Sequence, residues 1–227
     1  MESLEKEAAA TLIVGVSGDL IEVARALGRN GEKIGLVSKN SDLLYRYKDR
    51  LEEYGVGCSA FVADVTDSQS VLNMLTKFSA WSPRLDRLIY NVGVMSNERA
   101  GQVSEGELAT AMSANFYGFV NCFQLVQTMF SRLGRGHAVV MSSAAALSPD
   151  EHPVANSTSK ASLRIFIKAL RKELDSKEII ISEVFLGSMR TSAGQRELTC
   201  EEIVHGLMHV LREQPDEYLI GQSEIHT

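Results

Sequence analysis

Apolar positions come in short blocks of strand length, each followed by a longer stretch in which they recur every three or four residues. Residues 11–14 are such a block, residues 15–18 form a turn holding two glycines, and Leu20, Ile21, Ala24 and Leu27 then repeat at helical spacing. The same alternation predicts strands over residues 33–37, 58–62, 85–90, 137–141, 179–185 and 217–220. Between them it predicts a charged amphipathic helix over 43–54, a helix carrying Val71, Leu72, Leu75 and Phe78, and one long helix over 105–133. Leu108, Met112, Asn115, Phe116, Phe119, Phe123, Val126 and Phe130 fall on one side of that long helix. Two more helices follow, one through Leu163, Phe166, Ile167, Leu170 and Leu174 after breaks at Pro149 and Pro153, the other ending at Leu211. Thr66 with Gln69, and Thr199 with Glu202, have capping-box spacing and should open their helices. Alternation without repeat or linker predicts one α/β domain over residues 1–227, a doubly wound parallel sheet of about seven strands with helices on both faces. Residues 1–9 are expected to be a flexible N-terminus.

Composition adds little beyond exclusions. With 227 residues, 44% apolar and 23% charged, the chain suits an ordinary globular core. Lys and Arg number 23 against 29 Asp and Glu, a net charge of -6 with no basic block, which argues against nucleic acid and membrane as partners. Cys58, Cys122 and Cys200 lie far apart, with neither C-x-x-C nor a histidine at ligand spacing, so no disulfide framework or metal site is expected. The N-terminus is acidic where a secretory signal is basic, and no apolar run approaches membrane-spanning length. The cytoplasm is the expected location.

The strand tips carry the candidate chemistry. A glycine turn feeding a helix aims backbone N–H groups and the positive helix end above the strand, which suits a pyrophosphate; an ordinary strand-to-helix connection looks the same. Gly15, Ser17, Gly18 and Leu20 make that turn here, without the full G-x-G-x-x-G of dinucleotide sites. Ser38 and Lys39, at the next strand tip, offer a hydroxyl and a cation and no carboxylate. That favours NADP(H) over NAD(H), with a solvated loop lysine as the plain alternative. Asp64, followed by Val65, is placed either to touch an adenine amino group or to form a turn. Asn91 and Gly93 follow the fourth strand at once. Asn115, on an apolar helix side, needs buried partners or costs about 1 to 3 kcal/mol. Ser142 and Ser143 end the fifth strand, and Asn156 and Lys160, four apart, share one helical face.

Order and spacing together resemble the short-chain dehydrogenase/reductase family, over about residues 11–222. Val14-Gly15-Val16-Ser17-Gly18-Asp19-Leu20 matches the family's T-G-x-x-x-G-x-G turn with one residue deleted and Leu20 in place of the third glycine. The family's D-V is matched by Asp64-Val65, its N-N-A-G by Tyr90-Asn91-Val92-Gly93, its helix asparagine by Asn115 and its serine by Ser143. Its P-G-x-x-x-T is matched by Leu186-Gly187 with Thr191. Thirteen residues beyond Ser143, where the family has Y-x-x-x-K, the chain reads Asn156-Ser157-Thr158-Ser159-Lys160. The lysine is kept and the tyrosine is not. In the family's mechanism that tyrosine exchanges a proton with substrate oxygen while hydride passes to or from nicotinamide, the lysine lowers its pKa, the serine holds the carbonyl and the asparagine positions a water. An asparagine amide donates a hydrogen bond but does not titrate near neutrality.

The resemblance thus implies a Rossmann-type fold and a divergent, weakly active NADP(H)-dependent oxidoreductase acting on a small carbonyl or alcohol. Ser143 and Asn156 would polarise substrate oxygen, Lys160 would hold the nicotinamide ribose, and Asn115 would order a water. Gly15, Ser17, Gly18, Leu20, Ser38, Lys39, Asp64, Val65, Asn91, Gly93, Lys160, Gly187 and Thr191 would bind the cofactor. The proton would come from a held water, from His152, or from Tyr90 or Tyr117. One alternative is a catalytically silent dinucleotide sensor or interaction scaffold. Another is that the shortened turn and Leu20 exclude dinucleotides. The short stretch between Thr191 and Thr199 implies an abbreviated substrate lid. The family's dimer interface falls on the helices carrying Asn115 and following Asn156, which implies a homodimer or homotetramer with Phe119, Phe123 and Phe166 as contacts, unless these are core.

Overall fold

The computed structural model describes residues 7–94, 99–147, 153–174, 178–187, 189–191 and 194–221. Its elements run β1 (Ala10–Val14), α1 (Gly18–Arg29), β2 (Lys33–Ser38), α2 (Ser41–Glu53), β3 (Cys58–Val62), α3 (Ser68–Trp81), β4 (Arg87–Tyr90) and α4 (Glu105–Met112). A π-helical turn (Ser113–Tyr117) leads into α5 (Gly118–Leu133), β5 (Gly136–Ser143) and a 3-10 turn (Ala144–Ala146). Then come α6 (Val154–Leu174), β6 (Ile179–Leu186), β7 (Met189–Thr191), β8 (Gly194–Arg196), α7 (Cys200–Glu213) and β9 (Glu217–Ile220).

Seven strands form one parallel sheet in the order β3-β2-β1-β4-β5-β6-β9. The order reverses between β1 and β4, and a crevice opens there above the strand C-termini. Alternate residues of each strand feed two cores. Leu12, Leu88, Tyr90 and Val140 pack with α3, α5 and α6 through Phe78, Phe119, Phe130 and Leu163. Ile13, Ile89, Val139 and Val184 face the other way, against Leu20, Ile21 and Leu27 of α1 and Leu207 and Val210 of α7. This is the expected doubly wound α/β architecture, and the five inner strands read as apolar blocks because both of their faces are covered, while the edge strands β3 and β9 are only partly buried.

Three expectations need correction. Asp67, not Thr66, caps α3, its carboxylate accepting from the Gln69 N–H at 2.9 Å. Thr66 instead donates its N–H and hydroxyl to Asp64 Oδ1, at 2.9 and 2.8 Å. The 105–133 helix is not continuous α: the π turn inserts one residue, which a periodic pattern of apolar positions cannot register. Gly118, where α resumes, is needed because a Cβ there would lie 2.5 Å from the Tyr90 hydroxyl and 2.7 Å from Val65. Phe119 and Phe123 are core residues stacked on one another, not contacts for a second copy. A short hairpin of β7 and β8, which no apolar block predicts, is an addition. The capping box of Thr199 and Glu202 forms as expected.

Candidate active site

The turn after β1 is fixed by Gly15. Its φ of 86° lies in the left-handed region, and a Cβ there would meet the Asn91 carbonyl oxygen at 2.5 Å. Asn91 closes the contact, accepting nothing from the turn but donating from Nδ2 to the Gly15 carbonyl at 3.1 Å. Ser17 caps α1, its hydroxyl accepting from the Leu20 N–H, and Gly18 is exposed as the first helical residue. Leu20 turns its side chain down into the core, 1% exposed. It therefore does not fill the crevice above the turn, and what position 20 offers there is backbone, not side chain.

A cleft of about 230 Å³ opens beside Gly15. Ser38 and Lys39 line one end, Asp64 and Val65 a side, and Asn91, Val92 and Gly93 the inner wall. Ser38 Oγ accepts from the Asn40 N–H at 3.1 Å, which leaves its proton free to point inward. Asp64 both lines the cleft and holds the following turn, so the two readings of it combine; the Thr66 hydrogen bonds keep its carboxyl below the usual range. The shape and lining fit the adenosine half of a dinucleotide, with the α1 N-terminus beside it for phosphate.

Past the Val92 wall lies a second polar group of residues. Asn115, brought inward by the π turn, is fully buried and clamps the chain after β4. Its Oδ1 accepts from the Val94 N–H at 2.7 Å, and its Nδ2 donates to Val94 O at 3.2 Å and to Ser159 Oγ at 2.9 Å. Nδ2 also faces Asn156 Oδ1 at 3.5 Å, and Ser159 donates to the Asn156 carbonyl at 3.0 Å. Asn115 thus bonds directly to protein partners, which satisfies the burial requirement without any water. Ser159 is the member that sequence reading missed; its signal is the three-residue offset from Asn156 on α6.

Lys160 is 5% exposed and donates to two main-chain carbonyls, Met141 O at 3.0 Å and Val92 O at 3.3 Å. Burial pulls its pKa down to about 8, opposed by the negative charge of Glu183. Ser143, at the end of β5, accepts from the Ala145 N–H at 3.2 Å and so caps the 3-10 turn while keeping its own proton to donate. Gly187 donates its N–H to Ile220 O at 3.0 Å, tying β6 to β9, and Thr191 lies in β7.

The proton donors considered in place of a tyrosine beside Lys160 fare differently. Tyr90 is fully buried, donates to the Ala114 carbonyl at 2.9 Å, and has its pKa pushed well above the ordinary phenol value by burial. It is a structural residue. Tyr117 is exposed, packed against Phe116. His152 lies outside the described residues.

A family model described as short chain dehydrogenase matches residues 9–201, and the chain belongs to this family of oxidoreductases. The 2,3-dihydro-2,3-dihydroxybenzoate dehydrogenase of Bacillus subtilis is 27% identical to it over 194 residues, 84% of this chain and 74% of that protein. A fatty acyl-CoA reductase of Acinetobacter baylyi is 27% identical over 185 residues, 79% of this chain but 62% of that longer protein. Among solved structures, an alcohol dehydrogenase from the archaeon Thermococcus sibiricus, complexed with 5-hydroxy-NADP, superimposes with a TM-score of 0.83 at 21% identity, over 97% of this chain and 99% of that one. Among the described residues no helix is long and apolar enough to cross a membrane, and no cluster of three metal-ligating side chains occurs.

Proposed function

We propose that the chain is a single-domain, cytoplasmic, NADP(H)-binding oxidoreductase that interconverts a small carbonyl and its alcohol slowly. The observation that carries the reading is the cleft beside Gly15, which has Lys39 and Ser38 at one end and leaves the turn above α1 clear of Leu20. Lys39 would pair with a 2′-phosphate, and the absence of a carboxylate at that strand tip removes the group that a free 2′-hydroxyl prefers. The complex of the Thermococcus relative with an NADP derivative supports the same choice. Bound nicotinamide would supply or accept the hydride. The chain's own part is to hold it: Gly15 and Gly18 at the pyrophosphate, Asp64 and Val65 at the adenine, Asn91, Gly93, Gly187 and Thr191 along the nicotinamide half, and Lys160 at the ribose. Ser143 and Asn156 would donate hydrogen bonds to substrate oxygen.

Asn156 stands where the family resemblance expects the proton donor, and its amide leaves that role to a held water. A second reading rests on this point. Asn156 is drawn into contact with Asn115 and Ser159, so the same architecture would serve a dinucleotide sensor that performs no turnover. The outward side of α6, with Ile165 66% exposed beside Phe166 and Phe116, is the surface on which we place a homodimer or homotetramer contact.

Calorimetric titration with NADPH and NADH tests cofactor binding and preference, and a carbonyl panel followed at 340 nm tests turnover. Binding with NADPH favoured and slow oxidation of NADPH support the enzyme; binding without turnover supports the sensor; no binding of either dinucleotide overturns both.

A further inference from the structure

Buried polar groups in this chain are not all satisfied: Glu183 of β6 is 0% exposed, and neither of its carboxylate oxygens has a partner. The group around Asn115 is bonded, and its bonds fix which end of each amide faces where. The Val94 main-chain N–H can only donate, so the Asn115 atom 2.7 Å from it is the amide oxygen. Nδ2 of Asn115 is thereby turned the other way, donating to Val94 O at 3.2 Å and to Ser159 Oγ at 2.9 Å. The Ser159 hydroxyl accepts that bond and donates its own proton to the Asn156 carbonyl at 3.0 Å.

Asn156, in the first turn of α6 and 5% exposed, presents one end of its side-chain amide to Asn115 Nδ2 at 3.5 Å. Two NH2 groups that close would repel, and neither could satisfy the other. Oxygen inward is the arrangement the network selects. The contact is long for a hydrogen bond, so the choice rests on the sign of the facing dipoles more than on the strength of that one bond. The NH2 of Asn156 then points away from Asn115, and among the described residues nothing accepts from it. Ser143 already accepts from the Ala145 N–H and has its proton to give. Both side chains read as facing substrate oxygen therefore offer donors.

We propose that Asn115 is a positioning residue that holds Asn156 with its amide oxygen inward, so that position 156 offers a ligand a donor and no acceptor, and the site takes a ligand whose oxygen only accepts, a ketone or an aldehyde, in preference to an alcohol. The lock stands on the hydrogen bonds of the buried network; that Asn156 faces substrate rests on the function proposed above. An alcohol placed there would meet two donors while its own hydroxyl proton found no acceptor at 156, and leaving a buried donor unpaired costs more than one good bond contributes. A phenol at that position both donates and accepts by rotating its hydroxyl, whereas a locked amide cannot turn to suit the ligand.

Asn115→Asp is the deciding variant. One oxygen of the new carboxylate still accepts from Val94 N–H, and the other puts an acceptor where Nδ2 stood, so Asn156 should turn over and give its NH2 to that oxygen. The first readout needs no ligand. The Asn156 side-chain amide signals, assigned in NMR spectra by their loss in N156D, should move downfield and exchange more slowly with solvent in N115D; unchanged exchange overturns the lock. The second readout is the ratio of affinities for acetone and tert-butanol, titrated by NMR on the protein saturated with NADP⁺. Neither probe reacts there, because the oxidised cofactor has no hydride to give a ketone and a tertiary alcohol has none to lose. N115D should shift that ratio towards the alcohol by about fivefold or more, and an unmoved ratio overturns the ligand preference. Should N115D not fold, N156D takes its place, since it keeps an oxygen towards Asn115 and exchanges the outward donor for an acceptor; the same shift is expected, and its absence overturns the proposal. If the wild type binds neither probe, the reading of Asn156 as facing substrate fails, while the amide exchange in N115D still decides the lock.

Discussion

Replacing Glu183 by glutamine should make the protein more stable, and only above acid pH. Burial raises the carboxyl pKa of Glu183 from 4.5 to about 7. A raised value means that the folded protein holds a proton that the unfolded chain releases, so stability falls as pH climbs from the unfolded to the folded value and is flat beyond it. At about 1.4 kcal/mol per pH unit, that interval amounts to about 3 kcal/mol lost by pH 8. It is an upper value, because the site can relax and admit water around the carboxylate once it ionises. Glutamine keeps the shape and never ionises. Urea unfolding followed by circular dichroism should therefore give equal stabilities for wild type and E183Q near pH 4.5 and a gain of about 1 to 3 kcal/mol for E183Q at pH 8. Lys160 has the opposite sign: its folded value near 8 lies below the ordinary 10.5, so its penalty is relieved as pH rises through that interval. A loss of stability in E183Q of equal size at both pH values would refute the reasoning, since it would mean that the carboxylate has well-formed partners.

Asn156→Tyr should raise carbonyl reduction by about 100-fold or more if the cleft is otherwise competent, the lower end of what one positioned acid contributes; NADPH oxidation at 340 nm reads it. Gly15→Ala should abolish measurable NADPH binding, because it forces a left-handed backbone on alanine, at about 1 to 2 kcal/mol, and drives its Cβ to 2.5 Å from Asn91 O; titration calorimetry checks this on protein shown to be folded. Ser159→Ala should cost about 1 to 3 kcal/mol in urea unfolding, by leaving Asn115 Nδ2 short of its best acceptor in a buried site.

Most of the fold was legible because parallel strands buried on both faces announce themselves as unbroken apolar runs, and the two glycines after β1 mark the first turn. What sequence reading lost were one-residue events and alternatives of equal spacing. Asp67 and Thr66 both suit a cap, and the choice fell to Asp67 because Thr66 was already committed to Asp64. The π turn leaves no trace in apolar periodicity, though the polar Asn115 on that side was a hint of it. Phe119 and Phe123 were expected at an interface through the family resemblance, with core as the alternative, and the deep core between β4 and α5 takes them. For the candidate site, Asn115 and Asn156 meet in the structure while Lys160 bonds to main-chain carbonyls, and Ser159 and Glu183 went unnoticed, the one hidden by an ordinary serine, the other by its strand.

The two halves of the candidate site are built on different principles, and this bears on what the loss of a phenol would do. The Gly15 cleft depends on backbone: a left-handed glycine, a helix N-terminus and the Asn91 bond to the turn. No side chain at position 156 touches it. The Asn115–Ser159–Asn156 group depends on side chains satisfying one another, and there the asparagine at 156 accepts from Asn115 rather than leaving a hole, while Lys160 beside it bonds to main-chain carbonyls. A change at that position can therefore remove proton transfer while leaving both the fold and the cleft intact. Lys160 is the link between the halves, since one of its two carbonyl partners, Val92, also forms the inner wall of the cleft. Its bond to Val92 is then a direct path by which a change in the side-chain half can reach the wall of the cleft.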